Sequence, residues 1–269
     1  MMGGGDKYNQ THNTEPIRKQ IAAERTIIHA AGAITSENDG KKYTYTNSYT
    51  ALVQSYEQGN RIFEIDFMES ADGHLVCAHS GKAAGTWADG LSATFPMTKE
   101  SFLKEKVYGQ FQTMSLDKLA EFMRSHPNIL VVTDIKDGNE KGCSIIRDTY
   151  PDLVDRFIVQ IYHAHEYEQI ARLGFKNIIY TLYRTPPKEQ DIQVLKDFVA
   201  NKKIVGLTFW SSWVEKRPSW FAEVASLRIP LYVHTVNDRE VISKLLSSGI
   251  SAVYTDEVNN EWLRKKGGT

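Results

Sequence analysis

The run Arg61-Ile62-Phe63-Glu64-Ile65-Asp66-Phe67-Met68 has the β-branched and aromatic character of a buried strand. Successive side chains of a strand point to opposite faces, so Glu64 and Asp66 leave the same side of the sheet. Two carboxylates at this spacing repel each other and raise a pKa unless a cation lies between them. The run therefore predicts a metal site or a shared proton on one face of a buried sheet.

Short apolar runs of the same kind recur along the chain and alternate with amphipathic stretches. With Ile62–Phe67, the predicted strands are Thr26–His29, Ile129–Thr133, Phe157–Ile161, Asn177–Thr181, Ile204–Thr208, Leu231–Thr235 and Ala252–Thr255. Helix-start residues precede three of the stretches between them: Ser48, Ser115 and Asp238. A strand followed by a helix, repeated eight times, predicts a (β/α)8 TIM barrel.

The domain organisation follows from where this alternation begins and where it is interrupted. Residues 1–24 are expected to form an N-terminal arm and a short helix, and residues 25–269 a single barrel domain. Residues 81–113 follow the second strand and show no clear period, apart from a predicted short helix near Lys99–Lys106. So long a connection is usually functional, and we expect an insertion over the barrel mouth. The alternative is an insertion that only buries its own aromatic residues.

The bulk composition excludes several classes of partner. The chain has 269 residues, a net charge of −1 and a sequence pI near 6.7, so it lacks the broad basic field that collects nucleic acid or acidic membranes. No apolar run is long enough to span a bilayer. The two cysteines, Cys77 and Cys143, are interpreted as small buried hydrophobes. A small-molecule partner is expected, and the oligomeric state stays open.

The N-terminus, Met1-Met2-Gly3-Gly4-Gly5-Asp6, has no apolar region of a signal peptide. A cytoplasmic location is the default expectation. An exported origin stays open, because a Gly-rich start is compatible with the removal of a targeting segment.

Polar residues gather where the first three predicted strands end. His29 closes the first strand, His79 follows the hairpin after the second, and Asp134 and Lys136 share one face at the end of the third. The active site of this fold lies at the carboxyl ends of the strands, so these residues should converge with Glu64 and Asp66. Three carboxylates favour one divalent Mg²⁺ or Ca²⁺ over zinc. The histidines could complete a zinc site or act as general acid and base.

The order of several short motifs resembles the glycerophosphodiester phosphodiesterase family. They are His29-Ala30-Ala31-Gly32, Asn47-Ser48, Glu57-Gln58-Gly59, Glu64-Ile65-Asp66, Asp72-Gly73 and His79, and then Val233-His234-Thr235-Val236-Asn237-Asp238, Gly249-Ile250 and Val253-Tyr254-Thr255-Asp256. The resemblance covers both ends of the barrel. Each motif alone is weak, and their order is specific.

The resemblance implies a role for each matching residue. Glu64, Asp66 and Asp134 would hold one divalent metal, His29 and His79 would act as acid and base, and Lys136 would neutralise a phosphate oxygen. The implied activity is hydrolysis of a glycerophosphodiester, or of a related head-group diester, to an alcohol and a phosphomonoester. A substrate hydroxyl makes a cyclic phosphate intermediate plausible.

Two departures from the family pattern concern the substrate. Ala30 stands where the family usually has Arg after the first histidine, so one cation is missing. Asp134 stands where the third metal ligand is usually Glu, and its Asp-x-Lys pattern is similar to that of sphingomyelinase D-type phospholipases. Two alternatives therefore stay open: a lyase that releases a cyclic phosphate, and a barrel that binds a phosphorylated polyol without turnover.

The remaining histidines and aromatic residues near strand ends have weaker cases. His163 and His165 are interpreted as a loop residue and a helix cap. Trp210 and Tyr254 are candidates to pack on the alcohol portion of a substrate. His234 is expected to face the helical layer.

Overall fold

The computed structural model describes residues 13–81, 88–92, 96–257 and Trp262. The predicted arm therefore lies outside the described residues except at its end, and so do parts of the 81–113 segment and most of the chain after Glu257. The division into an arm and one barrel domain stays a prediction. No described helix has both the length and the apolar character needed to cross a bilayer.

Eight parallel strands form a closed barrel, as the sequence predicts. They are β1 (Thr26–Ile28), β2 (Ile62–Glu69), β3 (Leu130–Asp134), β4 (Phe157–Ile161), β5 (Ile178–Thr181), β6 (Gly206–Trp210), β7 (Leu231–His234) and β8 (Ala252–Thr255). Neighbours in sequence pair in space, and β1 pairs with both β8 and β2, which closes the barrel. The (β/α)8 fold is confirmed, and the observed strand bounds differ from the predicted ones by at most two residues.

Helices surround the barrel. They are α1 (Glu15–Glu24), α2 (Tyr49–Glu57), α3 (Lys99–Lys104), α4 (Leu116–Ser125), α5 (Asn139–Thr149), α6 (Glu166–Arg172), α7 (Ile192–Asn201), α8 (Trp213–Lys216), α9 (Pro218–Ser226) and α10 (Arg239–Ser247). The three predicted caps form: Ser48 accepts from Ala51 N, Ser115 from Lys118 N, and Asp238 from Glu240 N and Val241 N. Each cap satisfies backbone donors that the first helical turn leaves unpaired.

Short antiparallel strands lie outside the barrel proper. Leu75–Cys77 pairs with the end of β2 and with Met114–Ser115, and two further hairpins join Ile34–Thr35 to Lys42–Tyr43 and Lys106–Val107 to Phe111–Gln112. The predicted short helix in the insertion is present as α3. Both cysteines are buried and free.

Apolar side chains fill the lower barrel interior and form its floor. The interior cluster comprises Ile27, Ile62, Leu130, Val132, Ile158, Ile179, Val205, Tyr232, Ala252 and Tyr254, with Ile21 of α1. Helix α1 therefore packs against the amino end of the barrel, and Arg18 Nη2 donates to Ile204 O at 2.6 Å. Polar side chains are left to the carboxyl end, where the strands open into loops.

Candidate active site

The three predicted metal ligands meet at the carboxyl end of β2 and β3. Asp66 and Asp134 lie side by side in register, and Glu64 lies two residues earlier on the same face of β2. One carboxylate oxygen from each of the three residues lies within 4.8 Å of the other two, and all three side chains are buried. The cluster consists of hard oxygen donors, which suits Mg²⁺ or Ca²⁺.

A single lysine bridges two of these acids. Lys136 Nζ lies 3.0 Å from Asp66 Oδ1 and 2.8 Å from Asp134 Oδ2. Burial alone would lower the pKa of Lys136, but the two carboxylates outweigh burial and raise it. The lysine therefore stays charged, yet one cation does not balance three carboxylates.

Burial and mutual repulsion both shift the pKa values of these carboxyl groups. Burial, and then the charge of Asp66, raise the pKa of both Glu64 and Asp134 above the ordinary range. For Asp66 the penalty of burial is outweighed by Lys136 and other donors, so its pKa is lowered. The cluster favours an added positive charge, and this observation supports a divalent cation at these residues.

Backbone and side-chain donors fix the orientation of the acids. Ala30 N donates to Glu64 Oε2 at 2.9 Å, Asn47 Nδ2 donates to Asp66 Oδ2 at 2.9 Å, and Asp66 N donates to Asn47 Oδ1 at 3.0 Å. Ala30 and Asn47 both have positive φ, 48° and 46°. Left-handed backbone at non-glycine residues is strained, and here it presents these donors to the acids.

Tyr162, directly after β4, supports the third acid. Its buried hydroxyl donates a hydrogen bond to Asp134 Oδ1, and burial raises the pKa of Tyr162 well above its ordinary value. Because the phenol stays protonated, it remains a donor and fixes the carboxylate in place.

Each predicted catalytic histidine is held by an acid that sequence reasoning had not assigned. His29 Nδ1 lies 2.8 Å from Asp256 Oδ1, and His79 Nδ1 lies 2.8 Å from Asp89 Oδ2. An ionised carboxylate only accepts, so each pair places a proton on Nδ1 and leaves Nε2 for a ligand. Asp256 follows β8, whereas Asp89 belongs to the 81–113 segment.

A hydrogen bond and nearby carboxylates raise the pKa of His29. Burial lowers its pKa, but the hydrogen bond to Asp256 and the charges of Glu64, Asp256 and Asp66 outweigh burial and raise the pKa from 6.5 to about 9. At neutral pH the His29 imidazole is therefore protonated on both nitrogens and positively charged.

Tyr45 lies between the two histidines. Its ring centroid is 4.4 Å from that of His29 and 5.1 Å from that of His79, with edge-to-face geometry in both cases. Its φ is +57°, again in the left-handed region. No sequence pattern indicated this tyrosine, because its position depends on the loop that follows the Lys42–Tyr43 strand.

His234 faces the barrel interior, and the prediction that it faces the helical layer is wrong. Its ring stacks on Tyr254 at 3.9 Å and lies 6.2 Å from the ring of His29. Burial lowers the pKa of His234 well below its ordinary value, so it is neutral. Both faces of a buried parallel strand are apolar, so the sequence of β7 does not show which of its residues face the barrel interior. In the structure Val233, not His234, packs toward the helices.

The two predicted substrate-packing aromatics differ in accessibility. Trp210 is 44% exposed and packs on Tyr183 at 4.4 Å. Tyr254 is fully buried beneath His234, so it offers no surface to a ligand in this structure. His163 and His165 lie in the turn after β4, where their rings stack at 5.5 Å; His165 occupies the N-cap position of α6 without a side-chain cap bond.

Solved structures with a similar fold include glycerophosphodiester phosphodiesterases. One from Parabacteroides distasonis matches with a TM-score of 0.66 at 16% identity, covering 91% of this chain and 99% of that chain. A phosphodiesterase from Oleispira antarctica, in complex with the product sn-glycerol-3-phosphate, matches with a TM-score of 0.64 at 17% identity, covering 91% and 97%. The enzyme from Thermotoga maritima gives 0.64 at 19%, covering 90% and 98%.

These likenesses show a shared fold over nearly the full length of both chains. No family model matches the chain, and no curated protein sequence matches it.

Proposed function

We propose that this protein is a metal-dependent phosphodiesterase. It would hydrolyse a glycerophosphodiester, or a related head-group diester, to an alcohol and a phosphomonoester. The observation that carries the proposal is the convergence of three buried carboxylates, one lysine and two acid-held histidines at the carboxyl end of one barrel. The fold shared with phosphodiesterases, one of them in complex with sn-glycerol-3-phosphate, supports the same reaction class.

Glu64, Asp66 and Asp134 would hold the divalent cation, either Mg²⁺ or Ca²⁺. When bound there, the cation would act as a Lewis acid and neutralise negative charge on a phosphate oxygen. Lys136 contributes a second positive charge next to the same acids, so negative charge that develops on the phosphate is stabilised.

The histidines would move the protons. His79 takes the proton of the attacking hydroxyl, and protonated His29 gives its Nε2 proton to the oxygen of the departing alcohol. If the attacking hydroxyl belongs to the substrate, a cyclic phosphate forms first, and water opens it with the two roles exchanged. Trp210 offers an exposed aromatic surface for the alcohol portion.

Phosphorus NMR tests the proposal directly. The protein is incubated with glycerophosphocholine and either Mg²⁺ or Ca²⁺, and the expected product is a phosphomonoester. A cyclic phosphate that persists would replace hydrolysis by the lyase reaction. Absence of turnover on every diester tried would leave a phosphate-binding barrel.

Variants then separate the roles of the residues. His29→Ala and His79→Ala should each abolish turnover while divalent affinity, measured by calorimetry, is nearly unchanged. The exposed His165 serves as the matched control, and His165→Ala should retain activity. A parallel loss of metal affinity in the His29 or His79 variant would make that histidine a ligand and end its assignment as acid or base.

A further inference from the structure

Arg184 is a cation at the edge of the proposed active site. It is exposed, and within the described part of the chain no carboxylate lies within ion-pairing distance of it. Its guanidinium lies over the ring of Tyr162, 5.4 Å from the centroid. Tyr162 in turn donates to Asp134, so a single aromatic ring separates the guanidinium from the acidic cluster.

The backbone that presents Arg184 is fixed. After β5, residues Leu182–Arg184 form one 3₁₀ turn, and the carbonyl of Leu182 accepts from Thr185 N at 3.1 Å and from Thr185 Oγ1 at 2.7 Å. Gln190 Nε2 donates to the same carbonyl at 3.2 Å. The side chain therefore extends from a rigid turn at the barrel mouth.

Arg184 lines a cavity of about 360 Å³ together with residues of the proposed site. Asp66, His79, Asp134 and Lys136 also line it. The volume suits a small head group.

The charges around the cavity are mixed. Glu69 and Asp137 also line it, but Lys141 already pairs with Glu69 at 2.6 Å. Asp137 is exposed at the rim. A doubly charged phosphate bound to Arg184 would be repelled by Asp137. A single carboxylate fits the planar guanidinium and leaves Asp137 free to accept a hydrogen bond from an ammonium group.

We propose that Arg184 binds a carboxylate on the alcohol of the substrate, so that the enzyme prefers diesters of a carboxylate-bearing alcohol over otherwise identical diesters that lack it. The inference rests on the proposed function, because it names the substrate class of that same site.

Glycerophosphoserine and glycerophosphoethanolamine test this preference, because they differ only in the carboxylate. In Arg184→Gln, kcat/KM for the serine diester should fall about tenfold, as expected for loss of a charge-assisted hydrogen bond, while the ethanolamine diester changes less than about twofold. Lys188→Gln removes a neighbouring exposed charge outside the cavity and should leave both values unchanged. An equal loss for both diesters, or no loss for either, would overturn the assignment.

Binding gives a readout that does not require turnover. Calorimetry with O-phosphoserine and phosphoethanolamine in the presence of Mg²⁺ should show the same difference between native protein and Arg184→Gln. If the native protein hydrolyses no diester, the proposed function is wrong. The difference in affinity for the two ligands then still tests whether Arg184 binds a carboxylate. Equal affinities for the two ligands in both proteins would refute it.

Discussion

Replacing Asp256 by Asn should lower the pKa of His29. The gap between the ordinary value of 6.5 and about 9 is equivalent to about 3 kcal/mol of preference for the protonated imidazole. Burial acts against that preference, so the hydrogen bond to Asp256 and three carboxylate charges supply more than the net amount. Removing Asp256 eliminates the hydrogen-bonded charge at 2.8 Å, and we expect the pKa of His29 to fall by at least about one pH unit.

The assay is a long-range proton–nitrogen NMR titration of His29 in metal-free protein. A matched control keeps the hydrogen bonds while moving the charge. Asn237 Nδ2 donates to Asp256 Oδ2 at 2.7 Å, and Asp256 N donates to Asn237 Oδ1 at 2.8 Å. The double variant Asp256→Asn/Asn237→Asp keeps an amide and a carboxylate hydrogen-bonded to each other. It moves the carboxylate to position 237, where one side chain separates it from the imidazole.

The same pair makes stability depend on pH with a definite sign. The pKa of His29 is raised on folding, so its contribution is complete below 6.5 and is lost as the pH rises through about 9. Urea unfolding of metal-free protein should show a steeper loss of stability between these pH values in the native chain than in Asp256→Asn. An unchanged His29 titration in the variant would refute the reasoning, since Asp256 would then not be what holds the proton.

Two further substitutions test the supports of the site. Gly32 has a φ of +100°, and an added Cβ would lie 2.2 Å from Ser55 Oγ. Gly32→Ala should therefore lower the free energy of unfolding in urea by about 1–3 kcal/mol, and a loss below about 0.5 kcal/mol would contradict this. Tyr162→Phe removes the donor to Asp134 and should weaken divalent binding about 10-fold or more by calorimetry, whereas unchanged affinity would show that the phenol does not orient this acid.

The parts of the site that the sequence predicted are those fixed by strand periodicity. Glu64 and Asp66 share a face because they are two residues apart, and Asp134 joins them because β2 and β3 are parallel neighbours in register. His29 and His79 were predicted because each stands where an apolar strand or hairpin ends. These inferences need only local pattern and fold class.

The parts that were missed depend on loops and on side chains that reach across the barrel. Asp256 and Asp89 contact the two histidines from positions 227 and 10 residues away, distances that no period specifies. Tyr45 depends on a left-handed loop residue. His234 was assigned to the wrong face because strands covered on both sides carry no alternation of polar and apolar residues.

The floor and the mouth of the barrel are both set by the alternating direction of side chains along each strand. On β2, Ile62 lies in the apolar floor and Glu64 follows two residues later in the acidic cluster; on β3, Val132 and Asp134 repeat this arrangement. Each buried floor side chain stabilises by about 1.5–3 kcal/mol, whereas an uncompensated buried charge costs several. A slip of one residue in either strand would turn both kinds of side chain toward the helices. The register that places the acids for a cation is therefore selected by the apolar residues beneath them.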